Sequence, residues 1–233
     1  MLSSLAIEPD RLFFKGQEAY DAGDYIEAVE WYEQILEDGS YSAELFYNLG
    51  NAYYQQGDPG RAILNYRRAE RLMPADADLK NNLRFVREQT GAEMPATNPV
   101  MKVLQAVSHS KWMGLVFACF ILLPLLFLLL LFFSVSKAWW IRVSVVGGTL
   151  LVLGLAGGHV TAPQNAPAEV VILNDNQAAT FEPLAASKVH FTLPVGSVVI
   201  AEESLNGMTK VRSGKVGGWI PDNACEAVSL SGS

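Results

Sequence analysis

The stretch WMGLVFACFILLPLLFLLLLFFSVS, from Trp112 to Ser136, runs 25 residues without a charge and is bounded by Lys111 and Lys137. A helix rises about 1.5 Å per residue, so roughly 20 apolar residues cross the 30 Å hydrocarbon layer of a bilayer. Apolar helices buried in soluble cores seldom exceed about 14 residues. The stretch therefore predicts a membrane span at 112–136, with Pro124 kinking it, which lipid-embedded helices tolerate. After KAWWIR comes VSVVGGTLLVLGLAGGHV, 18 residues from Val143 to Val160, which predicts a return span at 139–160. Trp139 and Trp140 fall at the junction, where indole rings favour the headgroup region. Gly154 and Gly158 form a GxxxG pair that lets helices approach closely.

Charge follows the same division. Only 18% of the chain is charged, against about 25% in soluble proteins. Residues 94–167 carry no acid and four bases, Lys102, Lys111, Lys137 and Arg142. Residues 1–44 carry 11 acids and 2 bases, residues 45–93 carry 6 and 7, and residues 168–233 carry 7 and 4. The overall charge of -7 excludes nucleic acid as the main partner, since phosphate binding needs a basic surface. Two spans place both flanking regions on one side. Lys137 and Arg142, expected in the connecting loop, favour a cytoplasmic loop over the C-terminal flank. Lys102 and Lys111 give the N-terminal flank an equal pull. The start, MLSSLAIEPDRLFF, lacks the charged n-region and long apolar run of a signal peptide.

The N-terminal third repeats itself every 34 residues. Gly16 returns as Gly50, Gly23-Asp24 as Gly57-Asp58, Ala28 as Ala62 and Tyr32 as Tyr66. The tetratricopeptide (TPR) pattern W-x2-L-G-x2-Y…A-x3-F…P has this period. The second copy reads Phe46-x2-Leu49-Gly50-x2-Tyr53, then Ala62-x3-Tyr66, then Pro74; in the first copy Lys15 and Ala19 replace the Leu and Tyr. These residues resemble TPR repeats at 9–42 and 43–76, with a capping helix at 77–90 and a linker at 91–111. In that family the first helix of each pair lines a concave groove. Carried over by register, the resemblance implies that Gln17, Tyr20, Tyr47, Asn51 and Tyr54 face it. They are either an amide- and phenol-lined groove for an extended peptide or simply solvated positions.

After a linker at 161–167 the pattern turns to short β runs: AEVVIL, VHFTL, SVVIAEE, TKVRS and GGWIP, each bounded by turn residues. They predict about five strands. The order Phe191-x-Leu193-x-x-Gly196-x-Val198-Val199, Lys210-Val211 and Gly217-Gly218-Trp219-Ile220 resembles bacterial SH3-like (SH3b) domains over 168–228, with Met208 where such domains commonly carry Trp. Trp219 is the candidate surface aromatic of that domain, although large aromatics more often anchor small cores. The expected architecture is thus a multidomain membrane protein: an all-α TPR repeat, a transmembrane helical hairpin and a small all-β SH3-like barrel.

Catalytic signatures are missing. No phosphate loop, H-E-x-x-H or G-x-S-x-G occurs, and His109, His159 and His190 lie apart from any nucleophile or metal-spaced ligand. Two cysteines, Cys119 and Cys225, make no disulfide framework. No catalytic, cofactor or metal site is expected, and the chain reads as a non-enzyme. TPR repeats, two spans and an SH3-like end in that order, together with EAYDAGDYIEAVEWYEQILEDGSYSAELFYNLGNAYYQQGD, resemble the BatE-type proteins of aerotolerance (Bat) operons. The resemblance implies an inner-membrane scaffold with both soluble parts periplasmic. It also implies protein partners among von Willebrand factor A proteins and MoxR-type ATPase systems, in a stress-tolerance complex. The alternative is a cell-wall module whose SH3-like domain binds peptidoglycan or peptide while the repeat only positions it.

Overall fold

The 34-residue period appears structurally as a period in helix caps. In the computed structural model, which describes residues 9–95, 100, 103–104, 107–131, 137–162, 168–184 and 186–229, the helical region comprises α1 (Pro9–Asp21), α2 (Tyr25–Glu37), α3 (Ala43–Gln56), α4 (Pro59–Leu72) and α5 (Ala77–Thr90). Asp24 and Asp58 cap α2 and α4, accepting from Glu27 N–H (3.1 Å) and Arg61 N–H (2.9 Å). Ser42 and Asp76, again 34 positions apart, cap α3 and α5 through Leu45 N–H (3.0 Å) and Leu79 N–H (2.7 Å). Each such cap satisfies a helix donor that would otherwise be orphaned, worth about 1 kcal/mol. Gly23 and Gly57 precede the aspartates at φ +82° and +87°. That left-handed geometry ends one helix and frees the next to turn back.

Small and large residues interlock within each pair. A Cβ on Gly16 would lie 2.4 Å from the Tyr32 ring, and one on Gly50 2.7 Å from the Tyr66 ring. Both rings are buried, and each helix packs on the next along the chain.

The β region contains seven short strands: β1 (Glu169–Ile172), β2 (Gln177–Thr180), β3 (Val189–Leu193), β4 (Val198–Leu205), β5 (Met208–Ser213), β6 (Val216–Pro221) and β7 (Cys225–Ala227). They form one sheet in the order β3-β2-β6-β5-β4-β1-β7, with antiparallel neighbours. The five expected strands omitted β2 and β7. QAAT and CEA carry almost no β-branched or aromatic signal, and pairing with β3, β6 and β1 makes them strands. Asn206 and Gly207, both at positive φ, turn β4 into β5, the chemistry a tight hairpin demands.

β1 and β4 explain why their sequences are apolar doublets rather than alternating. Val170, Ile172 and Val199 face the sheet's own core with Leu193, Val211 and Ile220. Val171 and Val198, pointing the opposite way, join the core of the helical repeat. Successive side chains alternate faces, so a strand covered on both sides must be apolar throughout. The repeat and the sheet accordingly form one compact unit, although residues 97–167 separate them in sequence.

Their junction is polar at its rim. Arg67 Nη2 donates to Glu169 Oε2 at 2.6 Å, and the two side chains are only 16% and 15% exposed. Glu70 pairs with the same guanidinium. Burial alone would lower the Arg67 pKa, but the two carboxylates outweigh it and hold it above its ordinary value. Arg68 donates to Glu226 (2.7 Å) and to the Ala227 carbonyl (2.9 Å). Val198 N–H donates to the Glu93 carbonyl at 2.8 Å, and Ser197 Oγ accepts from Glu93 N–H at 3.1 Å.

The second unit holds two long helices, α6 (His109–Leu131) and α7 (Lys137–Thr161). Both contain stretches long and apolar enough to cross a membrane, His109–Leu126 and Trp139–Thr161. Their outward apolar residues are uncovered: Phe117, Phe120, Leu125 and Val152 are each at least 60% exposed. A helix apolar all round and not buried in protein suits lipid. Lys137 and Arg142, expected in the connecting loop, lie instead in the first turns of α7. Continuing the helix satisfies backbone groups that a loop in hydrocarbon could not. Residues 132–136, the end of the expected first span, lie outside the described residues. α6 is continuous through Pro124. Where the two helices meet, Cβ atoms on Gly147, Gly154 and Gly157 would lie within 3 Å of Leu123, Val116 and Trp112. The contact thus uses more glycines than the GxxxG pair alone.

Candidate functional site

α1 and α3, the first helices of the two pairs, and the following α5 share a face of amides and phenols. Tyr47, Asn51 and Tyr54 are spaced four and three apart on α3, which stacks them along one side of the helix. Two adjoining clefts open on this face. One, of about 140 Å3, is lined by Gln17, Tyr20, Asp21, Asn48 and Asn51 over the buried Tyr32. The other, of about 240 Å3, is lined by Tyr20, Asn51, Tyr54, Gln55, Asn82 and Phe85 over Tyr66 and Val86. Tyr20 and Asn51 belong to both.

Asn51 is held in one orientation. Its Oδ1 accepts from Tyr66 Oη–H at 2.7 Å and from Asn82 Nδ2 at 3.2 Å. With its oxygen taken twice, Asn51 offers only N–H donors. Asn82 also donates to Tyr47 Oη (3.1 Å), leaving its own Oδ1 to accept. A donor and an acceptor side by side match the C=O and N–H of an extended peptide. Tyr54 Oη–H donates to Gln89 Oε1 (3.1 Å), and its ring meets Phe85 edge-on at 5.9 Å. Among the described residues lining the two clefts, Asp21 is the one with a formal charge.

Of the residues expected at the groove, the structure brings Gln17, Tyr20, Asn51 and Tyr54 to the clefts. Tyr47 stands behind them, its ring tilted 46° against that of Tyr66 with centroids 6.1 Å apart. Asn48, Gln55, Asn82 and Phe85 are additional. Extending the 34-residue period one step from Asn48 and Asn51 lands on positions 82 and 85, so α5 supplies part of the site rather than only closing the array. Trp219, named as the candidate surface aromatic of the β region but read as the commoner core anchor, is 8% exposed and sits on β6 between β2 and β5. Its bulk is drawn into the sheet because a small core gains most from its largest side chain.

Burial also sets the titration of the phenols. Burial pushes the Tyr32 pKa up to about 12, with nearby Asp21 adding to the effect. Tyr53 and Tyr66 rise still further, chiefly by burial and then by Glu33 and Tyr47 respectively. A phenol with a raised folded-state pKa stabilises the fold fully below the ordinary value near 10. Above it the unfolded chain loses protons that the folded chain keeps, so stability falls as pH rises through the folded value. Helical circular dichroism should hold to about pH 10 and be lost towards about pH 12, together with the rise in phenolate absorbance near 295 nm. Phenolate absorbance rising fully at pH 10 with the helices intact would contradict the burial of these rings.

Among the described residues no group of three His, Cys, Asp or Glu is placed to hold a metal ion. Cys119 and Cys225 are free thiols, and burial pushes the Cys225 pKa up to about 11, which leaves it protonated and unreactive at neutral pH.

Residues 43–76 match the tetratricopeptide repeat family, and residues 16–57 match a second TPR repeat family. The chain therefore contains tetratricopeptide repeats, which points to protein partners and a scaffold-type role. No curated protein matches the chain.

Proposed function

We propose that the chain is a membrane-anchored, non-catalytic scaffold that holds an extended segment of a protein partner across α1, α3 and α5. The observation that carries this reading is the pinned pair Asn51 and Asn82, which presents one donor and one acceptor beside an aromatic wall. Fixing amide rotamers in advance removes entropy that binding would otherwise have to supply. Two helices able to cross a membrane supply the anchor. The resemblance to BatE-type proteins supports a bacterial stress-tolerance complex. On that reading the repeat and an SH3-like sheet are both periplasmic, and von Willebrand factor A or MoxR-associated membrane proteins are the partners. Peptidoglycan recognition by the sheet draws less support, because the aromatic ring that would serve a saccharide is buried.

Asn51→Asp tests the groove with little risk to the fold. The new carboxylate still accepts from Tyr66 and Asn82 but presents oxygen where the amide presented N–H. The full-length protein, captured from detergent-solubilised membranes, should retain a defined partner that the variant loses by at least about tenfold, the scale of a hydrogen bond replaced by repulsion. Equal enrichment by both, with unchanged helical circular dichroism, would refute the groove as the binding surface.

A further inference from the structure

A third cleft, sharing no residue with the groove, lies where α2, α3 and α4 meet β7. It measures about 280 Å3, slightly below the roughly 300–1,000 Å3 of small-molecule sites. That is room for one long side chain rather than a cofactor. Its apolar lining is Leu36, Leu49 and Leu64, and its polar lining comes from Glu33 and Glu37 on α2, Arg61, Asn65 and Arg68 on α4, and Glu226 on β7. We propose that this cleft takes a basic side chain, Lys or Arg, of a protein partner, with its alkyl stem on the leucines and its charged head between Glu33, Glu37 and Asn65.

The charges present decide the sign. Arg61 is neutralised by Asp58 at 2.8 Å and lies over the Tyr53 ring, 5.7 Å from its centroid. Arg68 is neutralised by Glu226 at 2.7 Å. Glu33 accepts from Tyr53 Oη–H through one oxygen, which leaves the other free to accept again. Glu37 makes no ion pair among the described residues and is exposed. The unneutralised charge of the cleft is therefore negative.

Asn65 points to the ligand independently of the carboxylates. It is 2% exposed, its Nδ2 donates to the Arg61 carbonyl at 2.9 Å, and its Oδ1 has no partner. A buried acceptor left unmade costs about 1–3 kcal/mol, and a donor-only head such as guanidinium or ammonium removes that cost. The Arg68 Nε–H also lacks a partner, but it belongs to a guanidinium whose charge Glu226 already meets. Long basic side chains match the mixture of apolar floor and acidic rim, since they bury their stems while keeping the head polar. Glu226 comes from β7 and the other lining residues from the repeat, so the docked sheet completes the cleft.

The test uses the full chain in lipid nanodiscs and three blocked amino acids as probes: N-acetyl-arginine methylamide, its neutral citrulline isostere, and N-acetyl-glutamate methylamide. Ligand-observed NMR titration should show arginine binding about tenfold tighter than citrulline, with glutamate weakest. Glu33→Gln/Glu37→Gln should abolish that preference, and Glu37→Gln alone, which removes no internal bond, should weaken it several-fold. Glu18→Gln/Glu30→Gln, which removes two acids outside the cleft's lining, should leave it unchanged. Equal affinity for arginine and citrulline, tighter binding of glutamate, a preference undiminished by Glu37→Gln, or one lost in the Glu18→Gln/Glu30→Gln control would each overturn the proposal.

Discussion

Arg67→Ala should cost the repeat–sheet unit about 3–5 kcal/mol, the scale for removing one partner of a buried pair. Glu169 would be left 15% exposed with its main cation gone, since Arg71 reaches it only at 3.4 Å. Glu70 would lose its partner as well. The full chain in detergent should then unfold by urea in two steps, the sheet releasing before the repeat, where the wild type shows one. Arg67→Met/Glu169→Gln should be less damaging than the sum of the single changes, because the Glu169 charge no longer stays buried without its cation. A loss below about 1 kcal/mol, as for exposed ion pairs, would show that the sheet does not rest on this contact.

The second large effect is expected at Gly50→Val. Even a Cβ there would lie 2.7 Å from Tyr66 Cδ1 and Cε1 and 3.3 Å from the Ala62 carbonyl, and valine adds two methyl groups. The ring cannot yield cheaply: Tyr66 is 2% exposed and its hydroxyl is tied to Asn51. Overpacking of this kind costs about 1–3 kcal/mol, occasionally more, and displacing Tyr66 also releases the Asn51 amide on which the groove depends. Gly57→Ala is the comparison. That position has open space but φ +87°, so only backbone strain of about 1–2 kcal/mol is expected. Thermal melts should rank Gly50→Val below Gly57→Ala, and only the former should lose partner capture. Equal melting temperatures would mean that helix approach at Gly50 is not limiting.

Both predictions rest on contacts of different legibility. Gly50 and Tyr66 could be paired from sequence because Gly16 and Tyr32 repeat the same spacing one period earlier, and two copies expose a packing rule that one copy hides. Asn82 and Phe85 were equally accessible by a third step of the period, but α5 carries Arg84 where α1 and α3 carry the marker glycine, and so reads as a cap. In the sheet, the doublets Val170-Val171 and Val198-Val199 announce strands buried on both faces, without naming what covers the second face. β2 and β7 carried almost no local signal, because neighbouring strands make them.

Sequence by itself determined the helical repeat, the two apolar helices and the β character of the last third. These depend on periodicity, length and turn chemistry within a few dozen residues. Only the tertiary structure decided that one face of the sheet joins the core of the repeat, although residues 97–167 separate them in sequence, that Trp219 faces inward, and that a cleft forms at the junction. Arg67 and Glu169 stand 102 residues apart, and Val171 gives no local sign of which element will cover it. Contacts at such separation are fixed by complementarity of shape and charge in the folded chain, for which short-range patterns carry no signature.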